Sequence, residues 1–232
     1  FDVVVTLPGG VSGTGIAGNG AVGQTAPFSI NAGTLTNTNS AFATVTYTVT
    51  PKLLGCADGP SQQVDVIIEP SPVAGVTNLL PLICNTGTPD ISITSPTTPS
   101  VLANLTFDVS VSLPAGIAGT GVAGSGITGA TAPFSVNTGT LTNSSNAIRT
   151  VTYTITPKLS GCANGTPQVI NVIVEPSPIA VVTNNSAAIC TGGTPNIDIT
   201  SPTSPNTPAN LTFDVVVSLP AGVTGTGIAA NG

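Results

Sequence analysis

The chain has 232 residues, a formal charge of −6 and no His, Met or Trp. Charged residues are 5% of it, against roughly 25% in ordinary soluble domains, and the basic ones are Lys52, Arg149 and Lys158. So acidic a surface argues against nucleic acid and anionic membranes as partners, and without histidine a serine nucleophile has no such base to activate it. At 40% apolar and rich in β-branched residues, the chain reads as folded despite its 27 Gly and 21 Pro. No apolar run reaches the roughly 18 residues of a membrane span, and no signal peptide is evident. The sequence opens inside a strand pattern and stops in a Gly-rich stretch, so it reads as a window on a longer polypeptide.

Repetition sets the expected plan. FDVVVTLPGGVSGTG at Phe1 recurs as FDVSVSLPAGIAGTG at Phe107 and FDVVVSLPAGVTGTG at Phe213, a spacing of 106 residues both times. Cys56/Cys162, Cys84/Cys190, Tyr47/Tyr153 and Glu69/Glu175 keep the same offset. A solenoid unit of 20–50 residues cannot bury a core alone, whereas about a hundred residues can. The expected organisation is therefore a partial repeat at 1–72, a complete one at 73–178 and a partial one at 179–232, with joints in the proline-rich segments near 72 and 178.

Within the complete repeat, residues 73–83 read as one leading strand, and Cys84 to Pro89 as turn chemistry. Ile91 and Ile93 mark a short strand that stops at Ser95-Pro96. Leu105, Phe107, Val109, Val111 and Leu113 alternate with Thr106, Asp108, Ser110 and Ser112, the pattern of a half-buried strand. Residues 114–132 read as open Gly-rich loops with a short strand or two, 134–141 as a strand, and 143–146 as a turn. Val151, Tyr153 and Ile155 alternate with threonines, and Pro157, lacking an N–H, is expected to end that strand. Ile170, Val172 and Val174 then face one way and Val169, Asn171 and Ile173 the other, before Glu175-Pro176-Ser177-Pro178 closes the unit. Seven or so short strands with turns every 8–12 residues describe an all-β immunoglobulin-like sandwich with no helices of note. Its core is mostly Val, Ile and Leu, with Phe107, Phe134 and Tyr153 as the large fillers.

Three stretches carry a family resemblance: Ile83-Cys84-Asn85-Thr86-Gly87, the YTITPKLSGCANG that starts at Tyr153, and the closing VIVEPSP. Together they resemble the PKD-like and SprB-type tandem repeats of long Bacteroidota cell-surface proteins, although the aromatic-plus-GDG motif of classical PKD domains is absent. The resemblance implies tandem PKD-like sandwiches in a protein exported by type IX secretion to the cell surface. It also implies a role as adhesin, gliding filament or fibre.

Candidate sites are few. Gly119-Thr120-Gly121-Val122-Ala123-Gly124, and its copy at 13–18, spell GxGxxG, but a dinucleotide site needs a helix after the glycines and no helical pattern follows. Asp2, Asp108 and Asp214 share one repeat position, as do Glu69 and Glu175. Asp108 reads as a solvated charge on an outward strand face, with no second carboxylate placed beside it for glycosidase chemistry. Calcium wants several clustered oxygens and finds no DxDxDG run, so no cofactor is expected, with calcium at the domain joints kept as the alternative. Asn104, Asn143, Asn164, Asn184 and Asn210 head N-x-S/T triplets.

Cys56, Cys84, Cys162 and Cys190, two per repeat, point to disulfides, and three pairings stay open. Cys84–Cys162 closes a repeat on itself, although those loops sit at opposite ends of a strand about 33 Å long and a bridge needs Cα atoms within about 7 Å. Cys56–Cys84 requires the leading segment to fold back. The third pairing joins the early cysteine of one repeat to the late cysteine of the next. Functionally the sequence favours a non-enzymatic stalk or fibre, with neighbouring repeats, other copies of the chain, or a surface polysaccharide as partners. The alternative is a carbohydrate-binding or spacer module of a secreted enzyme.

Overall fold

In the computed structural model, which describes residues 1–227, the repeat pattern becomes strands that differ according to the partners they find. The first copy contributes β1 (Asp2–Thr6), β2 (Val11–Gly13), a one-turn helix α1 (Gly15–Asn19), β3 (Leu35–Asn37), β4 (Ala43–Thr50) and β5 (Gln62–Ile68). The complete copy begins with β6 (Gly75–Asn78), β7 (Leu82–Ile83), β8 (Ile91–Thr94), β9 (Leu105–Ser112) and β10 (Ile117–Gly119). It continues with α2 (Gly121–Ser125), β11 (Ile127–Ala130), β12 (Phe134–Val136), β13 (Leu141–Asn143), β14 (Arg149–Leu159) and β15 (Gln168–Val174). The third copy supplies β16 (Val181–Asn184) and β17 (Ile197–Thr200).

In the complete copy a five-stranded sheet, β11-β9-β14-β15-β7, shares one core with a three-stranded sheet, β12-β8-β6. Period-two alternation decides which side chains enter that core. Phe107 and Val109 from β9, Val151, Tyr153 and Ile155 from β14, and Val172 and Val174 from β15 are buried. Ile91 and Ile93 from β8 and Val136 from β12 are buried with them in the same cluster. The Phe107 and Phe134 rings lie 6.3 Å apart and tilted, within the range where aromatic edges meet faces. On the opposite face of the five-stranded sheet Thr152 donates to Asn171 Oδ1 across β14 and β15 at 2.9 Å.

Several elements depart from the sequence expectation. Residues 73–83 do not form one strand. β6 pairs antiparallel with β8, whereas β7 pairs parallel with β15 in the other sheet. Pro81 sits at the crossing and gives only its carbonyl, which accepts the Ile173 N–H at 2.9 Å. Residues 134–141 likewise divide, since β12 joins β8 and β13 joins β10, with Gly139 at φ 91 between them. Pro157 does not end its strand: β14 runs on to Leu159, with Pro157 opposite Phe107. Its carbonyl accepts from Gly165 at 3.0 Å. The N and C=O of one strand residue face the same neighbour, so the missing N–H points where the β15 ladder has already stopped at Gln168.

Helix does begin in the GxGxxG stretches, as the single turns α1 and α2. Five residues are too few to make a dinucleotide cradle. The glycines are there for close approach: a Cβ on Gly124 would lie 2.2 Å from the carbonyl carbon of Gly119. The same turn is tied to the sheet by Tyr153, whose buried hydroxyl donates to Ala123 O at 2.6 Å, as Tyr47 does to Ala17 O at 2.7 Å.

Identical sequence takes different forms in different copies. FDVVV is strand β1 at the start of the first copy, paired with β4, yet residues 213–217 have no regular structure. No described counterpart of β14 lies beside them. Phe28 and Ile30 form no strand, whereas Phe134 and Val136 pair with β8; among the described residues no counterpart of β8 lies beside Phe28 and Ile30. Likewise Val64 and Val66 on β5 are exposed at 59% and 39%, while Val172, the counterpart of Val66, is at 0%.

Burial pushes the Tyr153 phenol up to about 12, because an ionised ring loses its hydration there. Tyr153→Phe leaves Ala123 O without its donor and is expected to cost about 1–2 kcal/mol, seen as a lower thermal unfolding midpoint by circular dichroism. In absorbance titration at 295 nm the variant should also lack the component that ionises near pH 12 in the native chain.

Candidate functional site: the joint between repeats

The buried polar side chains, Asn37, Thr97 and Asn143, gather where one 106-residue copy meets the next. Asn143, at the end of β13, is only 2% exposed. Its Nδ2 donates to Ala147 O at 2.9 Å and to Val174 O at 3.0 Å, and its Oδ1 accepts the Ser145 N–H at 3.0 Å. Both donors and the acceptor are therefore used, which is what makes a buried carboxamide tolerable. One side chain thus binds the turn after β13 to the last residue of β15. Asn37 does the same in the first copy, donating to Ala41 O at 2.9 Å and Ile68 O at 3.0 Å.

The turn held in this way is the one the next repeat reads. Thr98 N–H donates to Ser40 O at 2.7 Å, and Phe42 N–H donates to Thr98 O at 3.0 Å, making a short parallel bridge at Ala41. At the second joint Ser204 N–H donates to Asn146 O at 2.7 Å and Ile148 N–H to Ser204 O at 3.3 Å. A carboxylate closes each joint from the other side. Glu69 accepts the Ser100 N–H on both oxygens, at 3.3 and 3.0 Å, together with the Ser100 hydroxyl. Glu175 accepts the Asn206 N–H at 3.1 Å on each oxygen. Beneath them Val73 N–H donates to Thr97 Oγ1 and Ile179 N–H to Thr203 Oγ1, both at 2.9 Å. Pro70, in the connecting segment, is fully buried.

Asp108 sits on an outward strand face and is partly exposed, as the alternation implies, but its charge is partnered. It forms an ion pair with Lys158, two residues along β14 from its ladder partner Thr156, and its Oδ1 accepts the Gly129 N–H at 2.9 Å. That N–H lies at the register break between β11 and β9, where a bulge leaves backbone groups unpaired. Asp2 repeats the arrangement with Lys52 at 2.7 Å and Gly23 N–H at 2.8 Å. The Lys158 ammonium, and then the Gly129 N–H, hold the Asp108 carboxyl below its ordinary value. Asp2 is lowered in the same way by Lys52 and Gly23, and Lys52 is raised by Asp2. Asp214, the third of the set, is exposed.

Asn143 heads an N-x-S triplet but is buried and fully bonded, so no glycan can be attached there in the folded chain. Asn104, Asn164, Asn184 and Asn210 are exposed. Among the described residues no group of three or more His, Cys, Asp or Glu comes together to hold a metal. Cys56, Cys84, Cys162 and Cys190 are all exposed free thiols. The sequence singled out Glu69 and Glu175 only as a shared repeat position and Asn143 only as the head of a triplet; the signal for Asn37 and Asn143 was the LTN repeated at the 106-residue spacing.

The model of a known domain family coincides with the strands that build this geometry. Residues 101–178 match the PKD-like domain. No curated protein matches the chain. The PKD-like stretch begins in the loop that carries Ser100 and ends at Pro178, so it reaches from one joint to the next and contains Asn143, Asp108 and Glu175.

Asn143→Ala strips the donors from two carbonyls near the core and is expected to destabilise the PKD-like domain by about 2–4 kcal/mol, measured by urea unfolding. Because the folded Asp108 pKa is depressed, its contribution is full above the ordinary value of 3.8 and fades as pH falls through the lower folded value. The thermal midpoint should therefore drop below about pH 4, and Asp108→Asn should flatten that drop while lowering the midpoint at neutral pH.

Proposed function

We propose that these residues form part of a stalk or fibre of a bacterial cell-surface protein, built from tandem immunoglobulin-like domains that meet at 72/73 and 178/179. The observation that carries this reading is the joint itself. The same carboxamide, backbone bridge and carboxylate recur in the same register at both joints, so each repeat is held to the next at two points rather than by a loose linker. Eleven residues of β14 extend about 35 Å, and repeats fixed end to end accumulate length in one direction.

PKD-like domains are in general non-catalytic structural modules, which agrees with a role in spacing. Recognition of polysaccharide leans on exposed aromatic rings. Phe1, Phe42 and Phe213 are the exposed ones here, and their counterparts do not repeat as a surface: Phe1 and Phe213 match the buried Phe107, and Phe42 lies beside the joint. The resemblance to PKD-like and SprB-type repeats supports an extracellular location and export by type IX secretion. It supports an adhesin, gliding filament or surface fibre as the parent protein.

Small-angle scattering on the chain tests the joint. The native chain should scatter as an extended particle with low flexibility, and Glu69→Ala with Glu175→Ala should broaden the distance distribution while leaving the circular dichroism unchanged. Identical profiles for the two would remove the joint as the source of stiffness, and a compact native particle would remove the stalk reading.

A further inference from the structure

Each cysteine has a fixed address along the repeat. Ile83 pairs with Val174 and accepts the Glu175 N–H at 2.9 Å, so Cys84 lies at the trailing end, where the chain leaves. The next residue, Asn85, donates to Ser177 Oγ at 2.7 Å in the connecting segment and accepts the Asn143 N–H at 2.6 Å. Cys162 lies at the leading end, in the hairpin after Leu159, which pairs with Leu105. There Ser160 N–H donates to Asn104 O at 3.1 Å, and Gly165 sits so close to the preceding connection that a Cβ on it would lie 1.8 Å from Pro72 O.

Along β14, ten residues separate the position opposite Val174 from Leu159, about 33 Å. A disulfide holds its Cα atoms within about 7 Å, so Cys84 and Cys162 of one repeat cannot pair. Cys56 lies at the leading end of the first copy, beyond the Thr50 end of β4, and Cys84 at the trailing end of the second, so they are further apart still. Advancing by one repeat brings the remaining combination together. Pro72 corresponds to Pro178, which means that the hairpin carrying the next copy of Cys162 rests against Pro178. The residue after Cys84 is already bonded to Ser177. The two loops converge on adjacent residues of one connecting segment, each with an exposed thiol. Beside Cys162 an open depression of about 490 Å³, lined by Asn104, Thr106 and Lys158 among others, leaves room for the loop of the preceding repeat.

We infer that, in an uninterrupted run of these repeats, Cys84 forms a disulfide with the copy of Cys162 in the following repeat, stapling every joint. The inference rests on the tandem reading above. Forming each bridge joins two Sγ atoms, and the two thiols give up two electrons and two protons to an acceptor disulfide, which leaves as two thiols. Within residues 1–227 no such pair is present, and all four thiols stay free.

The test uses the 232-residue chain and the same chain lengthened by a second copy of residues 127–178 after Gly232, which completes the third repeat. Both are oxidised with glutathione disulfide and mapped as peptides under non-reducing conditions by mass spectrometry. The lengthened chain should yield one intramolecular bridge, between Cys84 and the added copy of Cys162, which Cys84→Ser abolishes. The unlengthened chain should yield no intramolecular bridge, and its four thiols should react with a chromogenic disulfide reagent. A Cys84–Cys162 or Cys56–Cys84 bridge, or both thiols left free in the folded lengthened chain, would overturn the inference. Residues 1–178 followed by a second copy of 73–178 present the same pair in a second format, so poor folding of one protein does not hide the answer. Free thiols in an extended, stiff particle would defeat the staple alone, whereas a bridged but flexible particle would defeat the stiff stalk alone.

Discussion

The buried carboxamide of Asn143 couples two structures that a β-sandwich could otherwise keep separate. It joins the last residue of β15 to the turn after β13, and that turn offers its backbone to Ser204 of the following repeat. The core on one side and the joint on the other therefore share a side chain. Removing it leaves carbonyls without partners in a place where water does not easily replace the donor. Glu175 is the half-buried complement: its carboxylate accepts a single N–H from the neighbour on both oxygens. Between them the relative placement of two repeats is set by groups that each repeat carries on its own.

Much of the fold was legible because it follows from alternation. The inward faces of β9, β14 and β15 fell where the Val, Ile, Phe and Tyr positions put them, and the 106-residue spacing carried the same alternation into β1, β4 and β5. What alternation cannot show is which sheet a strand joins. Residues 73–83 look like one apolar run, yet Pro81 lets the chain leave the β8 ladder and enter the β15 ladder. Pro157 looked like a stop signal, yet its missing N–H falls past the last rung of the β15 ladder, at Gln168. The joint was half legible. Glu69 and Glu175 stood out as a repeated charge in a chain with few charges, but a buried asparagine looks like any turn residue until its distant partner, Val174, 31 residues away in sequence, is in place.

Where copies differ, their ladder partners differ: Asp2–Thr6 pair with β4, whereas residues 213–217 have no ladder partner among the described residues. The β propensity of Val and Phe is a preference for a pleated surface that something else must supply. The one-turn helices make a related point, since the glycines that allow them serve contact between backbones and carry no ligand. Asp108 and Asp2 fill a comparable role at the sheet edge, where a carboxylate satisfies the glycine N–H that a bulge has taken out of the ladder.

The parallel pairing of β7 with β15 has a mechanical consequence. A load carried along the chain pulls a repeat apart through its two ends, and β7 lies near the first of those ends in sequence while β15 leads straight to the second. Their bonds, from Ile173 N–H to Pro81 O and from Glu175 N–H to Ile83 O, lie across the direction of pull. Sliding one strand past the other strains both bonds at once, where peeling would open them one after the other. A short clasp of two residues beside the exit of this repeat would thus act as a shear lock, loaded ahead of the sandwich behind it.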